Sequence, residues 1–117
     1  MARYFSVPFS AVAISAAQDL FEVKAGTKPI TLIEVVFGQS SDYGDAQAEG
    51  LQILIKRGIG NTSGSGGTTP TPVAHDSSQT AASATAEVNN IVQASVGTGS
   101  LTTSRGETFN VQGGYQY

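Results

Sequence analysis

The sequence predicts an all-β, single-domain fold: an antiparallel β-sandwich or jelly roll with a long Gly/Ser-rich loop. Short runs rich in Val, Ile and Phe recur along the chain, and Gly, Ser and Thr separate them. We count roughly seven or eight such runs, which is typical of two packed antiparallel sheets. The length of 117 residues suits one domain with one core over residues 1–117.

The first strand is predicted from period-two alternation near the start of the chain. Phe5, Val7 and Phe9 alternate with Tyr, Ser and Pro, as expected for a strand with one buried face. Pro8 has no N–H to donate to a neighbouring strand, so the pattern favours an edge or bulged strand. Residues 11–17 are alanine-rich, and the β-branched side chains that alternate among them favour a continued strand over a helix.

The strongest predicted element is a central strand over residues 30–37, which follows a strand over residues 18–25 and a turn over residues 25–29. Apolar side chains lie on both of its faces, and Glu34 is its only charge. A strand of this kind is covered on both faces, here by the chain's own core and by a second layer or another subunit. Glu34 is then either paired with a Lys or Arg or on a partly wet face, because an unpaired buried carboxylate is too costly.

Two segments of opposite character follow the next polar connection. Residues 51–57 are predicted as a strand whose one apolar face consists of Leu51, Ile53 and Ile55. Residues 58–71 contain little to bury, and Gly-Ser tracts behave as flexible coil. A long stretch of this kind inside a domain is typical of a functional or disordered loop. We therefore predict a flexible loop or arm that orders on a neighbour.

The second half of the chain is predicted to continue as short strands and turns. Residues 70–73 are expected to be extended, because proline biases the preceding residue towards β geometry. Residues 77–86 are compatible with a short helical turn. Strands are predicted over residues 87–95 and 107–117, and turns at residues 97–99 and 104–106.

Charge argues against nucleic-acid and membrane partners. The net charge is −3, and the six Lys and Arg are scattered, whereas nucleic-acid binding needs clustered positive charge. No window approaches the ~18 apolar residues of a membrane span, and no stretch matches a secretory signal, so we expect a soluble, unexported protein. Charged residues make up only 13% of the chain, which favours an oligomer or assembly subunit over a monomer.

The sequence predicts no catalytic, cofactor or metal site. His75 is the only histidine and there is no cysteine; His75 and Asp76 are adjacent, so on a strand they would point to opposite faces. The acids around Asp42 do not match the ligand spacing of a calcium loop. The Gly-rich tract has no G-K-[ST] ending and no helix after it, so it does not match a phosphate-binding loop. We expect a protein that is not an enzyme.

The remaining candidates are residues for an interface. Tyrosine is enriched at protein interfaces, and tyrosines lie near both ends of this chain; the alternative is that they close the end of the core. The first strand and the Gly/Ser loop are the other segments expected to lie on a neighbour. The candidate interface residues are Tyr4, Phe5, Asp42, Tyr43, Asn61, Ser63, Tyr115 and Tyr117.

Several segments resemble small virion-associated proteins of tailed bacteriophages and prophages. The resemblance includes the opening FSVPFSAVAISAAQDLFEV and spans nearly the whole chain; its most specific parts are GQSSDYGDAQ, AEVNN and FNVQGGYQY. It implies a component of a phage particle that is made in the cytoplasm of the host bacterium.

Together with the low charge and the absence of a predicted active site, the resemblance implies a capsid decoration (cement) protein. Such proteins commonly form trimers on the shell and hold adjoining capsomers together. The expected partners are the major capsid protein and further copies of this chain, as a homotrimer or another homo-oligomer, and the expected location is the capsid surface of the virion.

Two alternatives from other classes remain open at this point. One is a tail or fibre component, including a carbohydrate-binding module for host attachment, which would need exposed aromatic side chains such as Tyr43, Tyr115 and Tyr117. The other is a small hydrolase or isomerase on a β scaffold, which would need a cluster of His, Cys or acidic residues for a metal or a nucleophile.

Overall fold

The computed structural model describes residues 2–9, 13–38, 50–110 and 115–116. These residues form antiparallel strands and contain no helix, which confirms the prediction of an all-β protein. The strands are β1 (Phe5–Ser6), β2 (Asp19–Lys24), β3 (Val36–Phe37), β4 (Gly50–Ile59), β5 (Val73–Ala74), β6 (Thr85–Asn90), β7 (Ser100–Asn110) and β8 (Tyr115–Gln116). They pair in two-stranded sheets, as β1–β5, β2–β6, β3–β8 and β4–β7.

The chain divides into two compact units. Unit 1 consists of Met1–Ile30 and Thr62–Ser95, and unit 2 consists of Thr31–Asn61 and Val96–Tyr117. Sheets β1–β5 and β2–β6 belong to unit 1, and sheets β3–β8 and β4–β7 belong to unit 2. The single domain over residues 1–117 stays a prediction.

The first strand of unit 1 shows the predicted alternation. Phe5, Val7 and Phe9 are half-buried, whereas the residues between them are exposed. The ladder with β5 is only two residues long and ends before Pro8, in line with a strand that proline confines to an edge. Phe9 stacks on Phe21 of β2 with ring centroids 5.7 Å apart, which ties the start of the chain to the core of this unit.

The predicted continuation of the strand over residues 11–17 is wrong where the structure describes it. Residues 13–17 belong to no strand, and Ile14 is exposed. Alanine and serine side chains have little apolar surface to bury, so β-branched residues alone do not hold a strand there. The next strand, β2, lies within residues 18–25 as predicted.

The core of unit 1 lies between β2 and β6. Phe21 is opposite Val88 and Val23 is opposite Ala86 in the antiparallel register. Ala86 and Val88 are buried, at alternate positions of β6. The strand predicted over residues 87–95 therefore exists, but it begins earlier and its regular part ends at Asn90.

Unit 2 is built on the long ribbon of β4 and β7. On β4, Ile53 is buried and Leu51 and Ile55 are half-buried, whereas the residues between them are exposed. This confirms the predicted one-sided strand. At the end of the ribbon, the predicted turn over residues 97–99 is confirmed: the N–H of Gly99 donates to the carbonyl of Val96 at 3.0 Å.

The turn predicted at residues 104–106 is wrong, because β7 continues through it. The register shifts between Ile55 and Lys56, and Ser104 donates its hydroxyl to the Ile55 carbonyl at 2.9 Å, as at a β-bulge. A Cβ at Gly106 would lie 2.8 Å from Cδ2 of Leu54. Ser104 and Gly106, which resemble turn residues in the sequence, thus form a bulge and a close cross-strand contact.

The central strand predicted over residues 30–37 is wrong for most of its length. Only Val36 and Phe37 are in a strand, and Ile33 and Val36 are 67% and 64% exposed. Glu34 is exposed and accepts a hydrogen bond from the side-chain amide of Gln116, so the partly wet face is the alternative that holds. The apolar pattern is present, but no described strand lies beside residues 30–35 to cover it.

The remaining predictions are resolved in part. Residues 70–73 lead into β5 as an extended segment. Residues 77–86 contain a turn, in which the N–H of Gln79 donates to the carbonyl of Asp76 at 3.0 Å, and no helix. Of the strand predicted over residues 107–117, the structure shows the end of β7 and the two residues of β8; residues 111–114 and 117 lie outside the described part.

Two valines of unit 1 provide a matched test of this core. Replacing Val88, which is 5% exposed, with Ala removes buried methyl groups and leaves a cavity, so the free energy of unfolding should fall by about 2 kcal/mol. The control is Val92→Ala, because Val92 is 58% exposed and should change stability by no more than ~0.5 kcal/mol. Urea unfolding of the three proteins at one concentration measures both; equal losses would contradict the described core.

Candidate functional site

Residues 62–68, the Gly/Ser segment, are hydrogen-bonded along the free edge of β6 and the chain that follows it. Three antiparallel bridges join Thr62 to Ser95, Ser65 to Val92 and Thr68 to Val88. In each bridge both N–H groups donate to the opposite carbonyl, at 2.9–3.0 Å. This differs from the flexible loop predicted over residues 58–71: residues 58 and 59 end β4, and the Gly/Ser segment acts as a third, interrupted strand.

Glycines are needed in this segment because it lies against backbone and buried polar groups. A Cβ at Gly64 would lie 2.6 Å from the carbonyl oxygen of Val92 and 2.7 Å from Nδ2 of Asn90. A Cβ at Gly67 would clash with the carbonyl oxygen of Val88. At these two positions glycine permits close approach rather than flexibility.

Asn90 is the most deeply buried polar residue among those that the structure describes, at 1% exposure. Its Oδ1 accepts from the N–H of Gly67 at 3.2 Å. Its Nδ2 donates to Oε2 of Glu87 at 3.0 Å and, at the 3.5 Å limit, to Oε2 of Glu22. A buried amide is tolerated when its donors and acceptor are satisfied, and here the partners join β2, β6 and the Gly/Ser segment.

The acidic residues beside Asn90 also bind this segment. Glu22 is directly opposite Glu87 in the β2–β6 register, an arrangement of like charges that is unfavourable by itself. Oε2 of Glu22 accepts from the N–H of Gly64 at 2.9 Å, and Oδ2 of Asp19 accepts from the N–H of Ala94 at 2.6 Å. We call Asp19, Glu22, Glu87 and Asn90 the Asn90 cluster; it holds backbone N–H groups.

A backbone bend at Asn89 makes this geometry possible. In a regular strand, residues three apart lie on opposite faces, so Asn90 could not reach Glu87. Asn89 has a φ of 59°, a left-handed conformation that asparagine adopts more readily than most residues. Its Oδ1 accepts from Nε2 of Gln18 at 2.6 Å, which fixes the bend from the side of β2.

A second polar contact joins the strands of sheet β1–β5. The hydroxyl of Ser6 lies 2.6 Å from Nε2 of His75, and both residues are exposed. A serine hydroxyl beside an imidazole is the first half of a nucleophilic relay, and the second half is an acid that orients the imidazole.

Asp76 has different partners. Its Oδ1 accepts from the hydroxyl of Ser78 at 2.7 Å and from the N–H of Ser78 at 2.9 Å. These hydrogen bonds lower the pKa of the Asp76 carboxyl below its usual value, because they favour the ionised form. The carboxylate thus closes the turn after β5, as expected for an aspartate in an Asx-turn.

The structure places some of the predicted interface residues. Tyr4 is exposed and its carbonyl accepts from the N–H of His75 at 3.0 Å, while Phe5 is half-buried in β1. Asn61 and Ser63 are half-buried. Tyr115 is in β8, where it is opposite Phe37. Asp42, Tyr43 and Tyr117 lie outside the described residues.

Sequence reasoning missed the Asn90 cluster and Ser6. Ala86, Val88 and Asn90 share a period of two, so an asparagine at a core position was visible in the sequence. Its contact with Glu22 was not, because Glu22 lies on a strand 68 residues away in the chain, and its contact with Glu87 depends on the bend at Asn89. The contact of Ser6 with His75 depends on the pairing of β1 with β5, which no local pattern specifies.

A scan against protein-family models found no match, and neither curated proteins nor solved structures gave one. Within the described residues, no group of His, Cys, Asp or Glu has the geometry to hold a metal ion, and no helix is long and apolar enough to cross a membrane. What the chain does must therefore be argued from its own surfaces.

Alanine substitution at Gly64 separates the bound Gly/Ser segment from a flexible loop. Gly64→Ala should lower the free energy of unfolding by about 1–3 kcal/mol, because the added methyl group overpacks a site between Val92 and Asn90. In a flexible loop the same change would be neutral or slightly stabilising. Gly38→Ala is the control, since a Cβ there meets nothing within 4 Å. Urea unfolding decides between the two, and equal stability of both variants would contradict the bound segment.

Proposed function

We propose that this chain is a structural protein of a phage virion, a capsid decoration (cement) protein that binds the outside of the head and bridges neighbouring capsomers without catalysis. The observation that carries the proposal is the number of large apolar side chains that are exposed among the described residues. The resemblance of its sequence segments to virion-associated proteins supports a phage particle as the assembly to which the chain binds.

The exposed apolar residues support an assembly subunit. Among the residues that the structure describes, twelve large hydrophobic side chains are exposed, and of these Ile59 and Ile91 are 81% and 79% accessible. Single exposed apolar residues are ordinary, but an inventory of this size on a small protein is typical of a surface that a partner covers. Charged residues are depleted at the core of interfaces, and they make up only 13% of this chain.

We further propose that the two-stranded sheets belong to an antiparallel β-sandwich or jelly roll. Two-stranded sheets are marginal alone and need more strands or another layer to be stable. The buried faces of β4 and β6 alternate as strands of two packed sheets do. Copies of the chain, as a homotrimer or another homo-oligomer, and the major capsid protein are the proposed partners.

A decoration protein needs no chemistry, and the polar contacts support that part of the proposal. Oδ1 of Asp76 accepts two hydrogen bonds from Ser78, which favours a role in the turn over a relay with His75 and Ser6. Cementing follows mass action: a protein that binds only the assembled shell stabilises the shell by its binding free energy. Linked copies can engage with modest affinity at each site, because later contacts occur at high effective concentration.

Purified particles test the proposal. Particles from the cells that carry the gene should contain the chain at a copy number comparable with that of the major capsid protein, measured by quantitative mass spectrometry. Gold-labelled antibody against the chain should mark heads in electron micrographs. Particles made without the gene serve as the control, and adding the purified chain should restore both the label and their heat resistance.

Two results would contradict the proposal. If purified particles contained no copies of the chain, the chain would not be a virion protein. A few copies located at the tail would favour the tail or fibre alternative.

A further inference from the structure

Ser6 and His75 lie on the exposed face of sheet β1–β5 in unit 1. Ser6 is opposite Val73 in the antiparallel register, and the N–H of His75 donates to the carbonyl of Tyr4 at 3.0 Å. Side chains alternate between the two faces of a strand, so these four residues share one face of the sheet. All four are exposed.

The length of the hydrogen bond between Ser6 and His75 indicates which group donates. Oγ of Ser6 lies 2.6 Å from Nε2 of His75. Hydroxyl donors lie about 2.5–3.0 Å from their acceptors, whereas N–H···O bonds are usually about 2.7–3.2 Å long. The distance therefore favours a hydroxyl donor and a neutral imidazole that accepts at Nε2 and has its hydrogen on Nδ1.

We propose that Ser6 is a nucleophile activated by His75, and that its hydroxyl is acylated by activated esters or thioesters. An imidazole that accepts a hydrogen bond from a hydroxyl is placed to take the proton as the oxygen attacks. The inference goes beyond the proposed function, because a covalent modification of each chain is separate from the binding of the chain to a shell.

The step transfers one acyl group from the donor to the serine. Oγ of Ser6 forms a bond to the carbonyl carbon, and the bond from that carbon to the leaving oxygen or sulfur breaks. The hydroxyl proton passes to Nε2 of His75 and from there to the leaving group or to water. The products are an acyl-serine and the free alcohol or thiol.

The surroundings of Ser6 are accessible to a donor with an apolar group. Tyr4 and Val73 are each 55% exposed and lie on the same face of the sheet as the hydroxyl. Their apolar surface can contact the alkyl or aryl part of an ester, and covering it is favourable. We therefore expect esters with an apolar group to react faster than small polar ones.

The reaction is expected to stop at the acyl-serine. In the part of the chain that the structure describes, no carboxylate is hydrogen-bonded to His75, and Oδ1 of Asp76 accepts from Ser78. An aspartate that orients the imidazole contributes about 10⁴-fold to turnover by a serine relay. Each chain is therefore modified once, and the proposed structural role is unaffected.

Acetylation by p-nitrophenyl acetate tests the inference on the full chain. Peptide mapping by mass spectrometry gives the rates at Ser6 and at Ser104, the matched reference, in one sample. Ser104 is also exposed, but its hydroxyl donates to the carbonyl of Ile55, which is too weak a base to take the proton. Ser6 should be acetylated at least about tenfold faster, because a general base contributes typically about 10²–10⁴-fold.

Two controls assign the difference to His75. His75→Gln keeps a hydrogen-bond acceptor beside the hydroxyl but removes the base, so the two serines should then react at similar rates. Its unfolding midpoint in urea should match that of the wild type, because the side chain is exposed. Unfolding the wild type in urea should also equalise the rates, since Ser6 and His75 are 69 residues apart in the chain.

Three results would overturn the inference. Equal rates at Ser6 and Ser104 in the folded wild type would mean that the hydroxyl is not activated. An unchanged ratio of the two rates in folded His75→Gln would exclude His75 as the base. Release of p-nitrophenolate without an acetyl group on Ser6 would identify the imidazole as the nucleophile.

Discussion

A two-stranded antiparallel sheet leaves both of its outer edges and most of its two faces open to water, and this constraint governs the whole chain. Its backbone groups at the edges remain unpaired, and its side chains bury area only against another layer. In the described residues every named strand has a single named partner. In both units, other contacts must therefore cover the strand edges and apolar faces that the two-stranded ladders leave exposed.

Unit 1 meets the constraint from within. The Gly/Ser segment is joined by one bridge to the second edge of β6 and by two bridges to the chain that follows β6. Side chains of β2 and β6 in the Asn90 cluster accept from its N–H groups. Because the segment carries glycines where side chains would collide, it can approach closely enough to be bound. The Gly/Ser segment thus has the composition of a flexible linker but is hydrogen-bonded beside β6 like an additional strand.

Unit 2 meets the constraint only in part. The ribbon of β4 and β7 buries Ile53, and its register is set by the bulge at Ser104. On the proposed function, partner copies or the shell cover the exposed apolar side chains of this unit, such as Ile33 and Ile59, so association adds to the stability of the fold. The same uncovered surface then serves both self-assembly and attachment to a shell.

The sequence predicted the elements whose evidence is local. Period-two alternation located β1 and β4, because a strand with one buried face has an apolar side chain at every second residue. The strand over residues 30–37 failed, since an apolar pattern cannot tell whether its cover lies in the same chain. The turn predicted at residues 104–106 is wrong for a related reason, and the bridges of residues 62–68 differ from the flexible loop predicted there. Glycine is typical of flexible segments, of turns and of close backbone contacts, and only the neighbouring residues distinguish these cases. The Asn90 cluster depends on the long-range pairing of β2 with β6, so the only indication of it in the sequence was an asparagine at a core position of β6.

The thermal unfolding midpoint, followed over a hundredfold range of protein concentration, tests most directly whether association completes this fold. A protein stabilised by binding its own copies becomes more stable as the concentration rises, so the midpoint should increase along the series while sedimentation shows the oligomer forming. A constant midpoint from a chain that sediments as a monomer throughout would contradict the account.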